Sequence, residues 1–302
     1  MIDPQTPNPH AATGPPGGGG VYLVFGASGG IGSALVERLA ARPPPAAATS
    51  GSSGSSSSSG GSSSGGSSSG VVRVVLAGRH EERLQATARD KAGAGGGGGG
   101  GAAGGAQVEA ALQRVLSRHG RLDGVASLVG DVTAGSAAAT IVERFKQVLD
   151  THLVTAFNVT QAAVKALLNQ PGGGCVVLVS AAVAHTGIPH FEAMSAAKAG
   201  VEGLARATAA TYASRGIRIN CVAPGLTTTP QTTGFTEGPA AVREASREMT
   251  PAKRFAAPSD VAAALAFLLS PEAAFINGQV LAVDGGLSTL HTAPATDVAA
   301  GH

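Results

Sequence analysis

The sequence predicts an α/β fold: a doubly wound parallel sheet with helices on both faces. Three observations predict it. Short continuous apolar runs, such as Val21 to Phe25, recur along the chain, as strands buried on both faces require. Stretches with apolar residues at helical spacing, Leu35 and Leu39 among them, alternate with those runs. A glycine-rich turn, "GASGGIG" from Gly26 to Gly32, joins the first run to the first helical stretch. Such alternation makes the strands parallel and their helical crossovers right-handed.

Taken in order, "VYLVF" is the first strand and the segment after Gly30 the first helix. An insertion over 43–70 follows, containing the Ser/Gly tract "SGSSGSSSSSGGSSSGGSSSG". "VVRVVLAG" is the second strand and "HEERLQATARD" a helix. "AGAGGGGGGGAAGGA", residues 92–106, then occupies the place of a third strand. Glycine brings no side chain to pack, so this strand, at the edge of a 3-2-1-4-5-6 order, is predicted missing or degenerate. "VEAALQRVLSRHG" is a helix closed by Gly120, and "LDGVASLVG" a strand. A long helix is predicted from about Ile141 to Leu168. "GCVVLVSAA" is a strand, residues 195–214 a helix, and "IRINCVAPG" a strand. In "SDVAAALAFLL", Ser259 is placed as the N-cap of a helix with Asp260 in its first turn. "GQVLAVDGG" is the last strand.

Residues 1–20, residues 291–302 and the tracts at 43–70 and 92–106 are predicted flexible, because such compositions bury too little apolar surface to offset chain ordering. Residues 21–290 then form a single domain. A helix-to-strand loop lies at the amino ends of the strands, opposite the ligand edge, so the 43–70 insertion is expected away from any cofactor.

A net charge of +2 with 13% charged residues leaves no electrostatic footprint for nucleic acid. Cys175 and Cys221 each sit in an apolar run and read as buried, inert thiols, which suits a reducing compartment. No apolar run reaches the ~18 residues of a membrane span. Residues 1–20 hold neither a secretory apolar core nor any Arg or Lys, so the cytoplasm is expected. No metal site is suggested.

Several motifs together resemble the short-chain dehydrogenase/reductase family, whose fold is of the Rossmann type. The resemblance runs from residue 21 to about 288, apart from the two tracts. Gly26, Ser28, Gly30, Ile31 and Gly32 match its cofactor turn, where backbone approaches a pyrophosphate over a helix N-terminus. "AGRHEERL" places Arg79, rather than an acidic residue, after the second strand, and the resemblance then implies NADP(H) over NAD(H). Gly29 stands where many NADP-preferring relatives carry a second basic residue. "NCVAPGLTTTP" is similar to the family's Pro-Gly segment, implying that Pro224, Gly225 and Thr229 border the nicotinamide. Gly130 is what remains of an Asn-Asn-Ala-Gly strand ending. "FINGQVLAVDGG" matches the last strand and its flanks and implies a structural role.

The family's chemistry uses a Tyr as proton donor, a Lys one turn on, a substrate-orienting Ser and an Asn behind them. Lys198 is in place, but Met194 holds the Tyr position, and a thioether has no proton to give. The Ser register falls on Ala181. Ser180 is one residue early, facing the other side of its strand. The Asn position holds His152. Loss of a general acid costs on the order of 10²–10⁴-fold in rate. Tyr22 and Tyr212 lie too far away along the fold to replace it. The imidazoles of His152, His185 and His190 are substitutes of suitable pKa, with His152 and His190 favoured, and Lys198 becomes one if burial lowers its pKa.

The resemblance therefore implies one of two functions. The first is an NADP(H)-dependent oxidoreductase acting on a small carbonyl or alcohol with a non-tyrosine proton donor. The second is a catalytically silent NADP(H)-binding protein that senses cofactor or partners another subunit. Family members pair through two long helices, and the Ala- and Gly-rich segment 195–211 permits close approach, so a homodimer or homotetramer is expected. The segment after Thr229, "PQTTGFTEGPAAVREASREM", corresponds to the family's substrate lid.

Overall fold

Strand β1 (Val21–Phe25) is buried along its whole length, and its side chains divide between two cores. Val21, Leu23 and Phe25 enter one, and Tyr22 and Val24 the other. This alternation is the period-2 geometry of a strand with a layer packed on each face. The structure is a computed structural model that describes residues 20–41, 72–77, 94–96 and 104–291. The helix predicted in "HEERLQATARD", Arg79, nearly all of the two tails, the whole 43–70 insertion and most of the 92–106 tract lie outside the described residues.

The sheet has seven parallel strands: β1, β2 (Arg73–Ala77), β3 (Ala94–Gly96), β4 (Gly124–Ser127), β5 (Gly174–Val179), β6 (Ile217–Pro224) and β7 (Val280–Val283). Their order, β3-β2-β1-β4-β5-β6-β7, is the expected doubly wound one with a seventh strand added beyond β6. The edge strand is degenerate: three residues, Ala-Gly-Gly, pair with Val74 to Leu76 of β2. The edge position is what allows it, since one neighbour supplies its hydrogen bonds. Val21 pairs with Arg73, so the 43–70 insertion is attached at the amino edge of the sheet.

Helix α1 (Gly30–Ala40) and a C-terminal helix cover the face carrying Tyr22 and Val24, with Leu35, Leu39, Val261 and Leu265 wholly buried. The opposite face is covered by α2 (Gly105–His119), the long helical stretch after it, and α5 (Glu192–Tyr212). Gly120 closes α2 in the left-handed region at φ 69°, as its sequence position predicts. Each wholly buried Leu or Ile contributes about 1.5–3 kcal/mol by leaving water.

The predicted helix over 141–168 is not uniform. It runs as α3 (Val142–Leu149), one π turn (Asp150–Val154) and α4 (Thr155–Leu168). The widened turn is held by Thr155, whose amide and hydroxyl both reach the Asp150 carbonyl, and it carries His152. Helix α5 spans Glu192–Tyr212, starting three residues before the expected 195. Short helices α6 (Thr233–Thr236) and α7 (Ala240–Glu248) follow β6.

Helix α8 (Pro258–Leu269) corrects the predicted cap: Ala257 is the N-cap, and Ser259 lies inside the first turn. Pro258 takes the first helical position, where its missing N–H costs nothing, and the Asp260 carboxylate accepts from the Ala257 amide at 3.0 Å. Asn220 and Asn277 stitch β6 to the approach of β7 through Ile219, Ile276 and Gln279, consistent with a structural role for that motif.

Candidate active site

Strands β1, β4, β5 and β6 all end on one edge of the sheet. Between β1 and β4 the chain reverses its direction of winding, which opens a crevice there. Gly26 leaves β1 at φ +82°, and a Cβ on it would meet the Leu128 backbone at 2.9 Å. A Cβ on Gly32 would meet the Gly26 carbonyl oxygen at 2.2 Å, so strand and helix approach this closely only through glycine. Gly29 caps α1 without a side chain, leaving the first-turn amides of Gly30, Ile31 and Gly32 without intrahelical acceptors. Ser28 and Ile31 are half-buried, Ile31 against the α1 core.

From β6, Pro224 and Gly225 lead to Thr229, whose methyl lies 3.0 Å from where a Gly30 Cβ would stand. A side-chain-free backbone, a helix N-terminus and a threonine facing it fit the pyrophosphate of a dinucleotide.

Deeper in the crevice lies the group of residues at the expected catalytic positions. Lys198, on α5, is 6% exposed and donates to the Val179 carbonyl at 2.9 Å. Burial lowers its pKa to about 8, against weaker opposing effects of Cys221 and Asp131. His152 is 2% exposed, its Nε2 lies 3.1 Å from Asp131 Oδ1, and its Nδ1 has no hydrogen-bond partner. Gly130 separates His152 from Lys198. A Cβ there would stand 2.8 Å from His152 Nδ1 and 3.7 Å from Lys198 Nζ.

Desolvation holds the His152 pKa below its ordinary value, outweighing the Asp131 hydrogen bond. Asp131 is held below the usual carboxylate range, chiefly by that same bond. Near neutrality the ring is therefore neutral and the carboxylate ionised.

Met194 is buried beside Val148, Ala193 and Ala197, and its Sδ accepts the Thr133 amide at 3.2 Å. Ala181 precedes a short 3₁₀ turn and brings no polar group to the crevice. Ser180, one residue beyond the end of β5, is buried against α5, its hydroxyl 3.3 Å from the Lys198 carbonyl oxygen. Its hydroxyl donates to Glu202 Oε1 at 2.6 Å, and His185 meets the other carboxylate oxygen at 2.9 Å. His190 is exposed, sits at φ 69°, and is held through its backbone carbonyl by the Gly135 amide. The structure thus brings together Lys198, His152, Gly130 and, through Thr133, Met194. It gives His185 to Glu202 and leaves the His190 ring at the surface.

Two contributors were not singled out in the sequence. Asp131 follows Gly130 directly, and an acidic residue abutting a cofactor strand was the signal available. Gln231, at the start of the lid segment, donates to the Gly130 carbonyl at 3.0 Å, while Phe235 of α6 packs on Phe191 at 6.2 Å. These contacts bring the segment after Thr229 up to Gly130 and to the start of α5.

A dinucleotide crevice with a buried lysine at its floor defines a nicotinamide-dependent α/β protein. The chain belongs to the short-chain dehydrogenase/reductase family. The family profile described as enoyl-(acyl carrier protein) reductase matches residues 71–288. A 3-oxoacyl-[acyl-carrier-protein] reductase of Thermotoga maritima is 34% identical over 181 residues, 60% of this chain and 72% of that protein. An acetoacetyl-CoA reductase of an Acinetobacter strain is 34% identical over 178 residues, 59% and 70% of the two chains. The crystal structure of levodione reductase superposes with a TM-score of 0.75 at 28% identity, covering 90% of this chain and 98% of that one. By this kinship the chain is an oxidoreductase of the short-chain type, a class that binds a nicotinamide cofactor. Among the described residues no helix is long and apolar enough to cross a membrane.

Proposed function

We propose that the protein is an NADP(H)-dependent oxidoreductase that interconverts a small carbonyl compound and its alcohol with His152, rather than a tyrosine, as the proton-handling group. One observation carries this reading: the buried His152 presents an unpartnered ring nitrogen toward Lys198 across Gly130. Gly26, Ser28, Gly30, Ile31, Gly32, Pro224, Gly225 and Thr229 would hold the dinucleotide, and Arg79 would favour the 2′-phosphate form. The dinucleotide, when bound, supplies or accepts the hydride.

Lys198 supplies the rest of the site from this chain. An amine with a pKa of about 8 is partly neutral near physiological pH, so it exchanges protons as well as binding hydroxyls. His152 takes a proton on Nδ1 when an alcohol is oxidised, and its imidazolium returns one when a carbonyl is reduced. The lid segment, latched by Gln231, keeps water from the reacting carbon. The names of the reductase relatives, which act on 3-oxoacyl and acetoacetyl thioesters, are compatible with a carbonyl substrate. The exposed faces of Phe145, Val154 and Phe157 along the long helix suit a homo-oligomer.

The protein contains no Trp, so bound NADPH is read directly by its own emission. Titration with NADPH and NADH, in wild type and Arg79→Ala, is expected to show an NADPH preference that the variant loses. Turnover over a carbonyl panel should fall at least roughly 10²-fold in His152→Ala and little in His190→Ala. NADPH binding without wild-type turnover would leave a cofactor-sensing protein in its place, and a loss confined to His190→Ala would move the proton to that residue.

A further inference from the structure

Phe191, Met194 and Lys198 are spaced i, i+3 and i+7 at the start of α5, so they share the face that carries the crevice lysine. Phe191 lies just before the helix, and its carbonyl accepts the Ser195 amide at 2.7 Å. Its side chain packs against the buried group of Val148, Ala193, Met194 and Ala197. Phe235 meets it from the other bank, with ring centroids 6.2 Å apart and planes tilted by 45°. Both residues are half-buried, so each ring keeps part of its apolar surface free.

The bank that carries Phe235 is fixed to the cofactor turn. The Thr232 hydroxyl donates to the Thr227 carbonyl at 2.6 Å and accepts the Thr229 amide at 2.9 Å. The Phe235 amide donates to the Thr232 carbonyl at 2.9 Å, and Thr229 in turn stands over Gly30. Gln231 of the same segment donates to the Gly130 carbonyl. The segment therefore meets the crevice wall at two places, beside Lys198 and at Phe191. The neighbouring side chains, Met194, Val183 and Ala181, are apolar.

Charge at this mouth does not favour anions. The Asp131 side chain is 43% exposed, and the exposed Glu192 accepts the Ala137 amide at 3.3 Å. Against these two carboxylates stands the Arg144 guanidinium, already taken up by the Thr133 hydroxyl at 3.2 Å and by Gln147 at 3.3 Å. A carboxylated or phosphorylated substrate meets two carboxylates for one engaged cation.

We infer that Phe191 and Phe235, with Met194 behind them, bind a flat uncharged ring, so that the substrate class is an alicyclic or aromatic ring ketone rather than an open-chain or anionic carbonyl compound. This names the substrate of the functional reading above and rests on it. Two tilted aromatic rings accept a third ring edge-on or offset, and a thioether adds contact at its edge. A ring also binds without freezing the rotatable bonds that an open chain of equal carbon number must fix.

The test reads binding separately from turnover. Phe191→Trp gives the full chain its sole Trp, and Phe235→Trp repeats the measurement from the other bank. With NADPH present, alcohols bind without reacting. Cyclohexanol should change the Trp emission with a midpoint about tenfold below those of 1-hexanol and 3-hydroxybutyryl-CoA. In turnover with NADPH, Phe235→Ala should raise the KM for cyclohexanone about tenfold and leave that for 2-hexanone within twofold. A variant that merely loosens the fold would raise both alike. A ring preference seen from neither Trp position, or equal KM changes for the two ketones, overturns the inference. Ring preference in binding without wild-type turnover of cyclohexanone removes the oxidoreductase reading and leaves the ring site. Turnover of 2-hexanone or acetoacetyl-CoA without ring preference does the reverse.

Discussion

Met194 Sδ accepts the backbone amide of Thr133 at 3.2 Å, so this side chain works as a fastener for the loop leaving β4. A thioether is a weak acceptor but a good filler, and this one sits among Val148, Ala193 and Ala197. Met194→Leu keeps the volume and removes the acceptor. The half-buried amide then loses its partner, and denaturant unfolding is expected to show a loss of about 1 kcal/mol. NADPH affinity should stay within twofold, because the cofactor turn is built on other elements.

Placing a tyrosine at position 194 is the converse experiment. Lys198 sits one turn after position 194, so Met194→Tyr with Ala181→Ser puts a phenol and a hydroxyl at the two positions that the sequence resemblance points to. The double variant is expected to gain roughly tenfold or more in NADPH-dependent carbonyl turnover. It should also unfold earlier, since the Thr133 amide loses its sulfur. A double variant no faster than wild type would mean that the crevice around Lys198 has closed to substrate.

Much of this architecture was legible because it is local. Val21 to Phe25 reads as a doubly buried strand from its own composition, and "GASGGIG" demands glycine for reasons of contact between neighbouring residues. Gly120 announces the end of α2 in the same way. The π turn was not legible: it depends on Thr155 reaching the Asp150 carbonyl in preference to continuing the regular helix. Ser259 was misplaced as a cap because its residue type outweighed Pro258, which fixes the first helical position one residue earlier. At the site, Ala181 and Met194 are visible as residue types. The Asp131 to His152 bond joins residues 21 apart, and only the sheet order brings them together.

Ser180 offers a separate check on which face of β5 does chemistry. Its hydroxyl bonds the buried Glu202 carboxylate, which is also met by His185. Ser180→Ala removes one donor from a 4% exposed charged residue and is expected to cost about 1–3 kcal/mol of stability. Catalytic parameters should change little, since the hydroxyl bonds Glu202 and the Lys198 backbone carbonyl and not the Lys198 ammonium. A fall in kcat larger than the loss of folded protein would give Ser180 a substrate-orienting role.

Lys198 also marks the pH dependence of stability. Burial lowers its pKa from 10.5 to about 8, so between those values the unfolded lysine holds a proton that the folded one lacks. Unfolding then takes up a proton, and stability rises with pH across that window. Cys175 and Cys221 act oppositely, their thiols being pushed by burial from 9.0 to about 11 and about 12. They keep protons in the folded state that the unfolded chain loses above pH 9, and two thiols outweigh one amine there. Wild type should therefore gain only about 0.3 kcal/mol from pH 8 to 9, the lysine's gain being mostly offset by the two thiols, and lose stability above it. Lys198→Met should show no rise and only the later fall, the difference between the two proteins growing to about 3 kcal/mol by pH 10.5. Denaturant midpoints at half-unit pH steps measure it, and parallel profiles for the two proteins would show that the lysine is charged and hydrated in the crevice rather than buried.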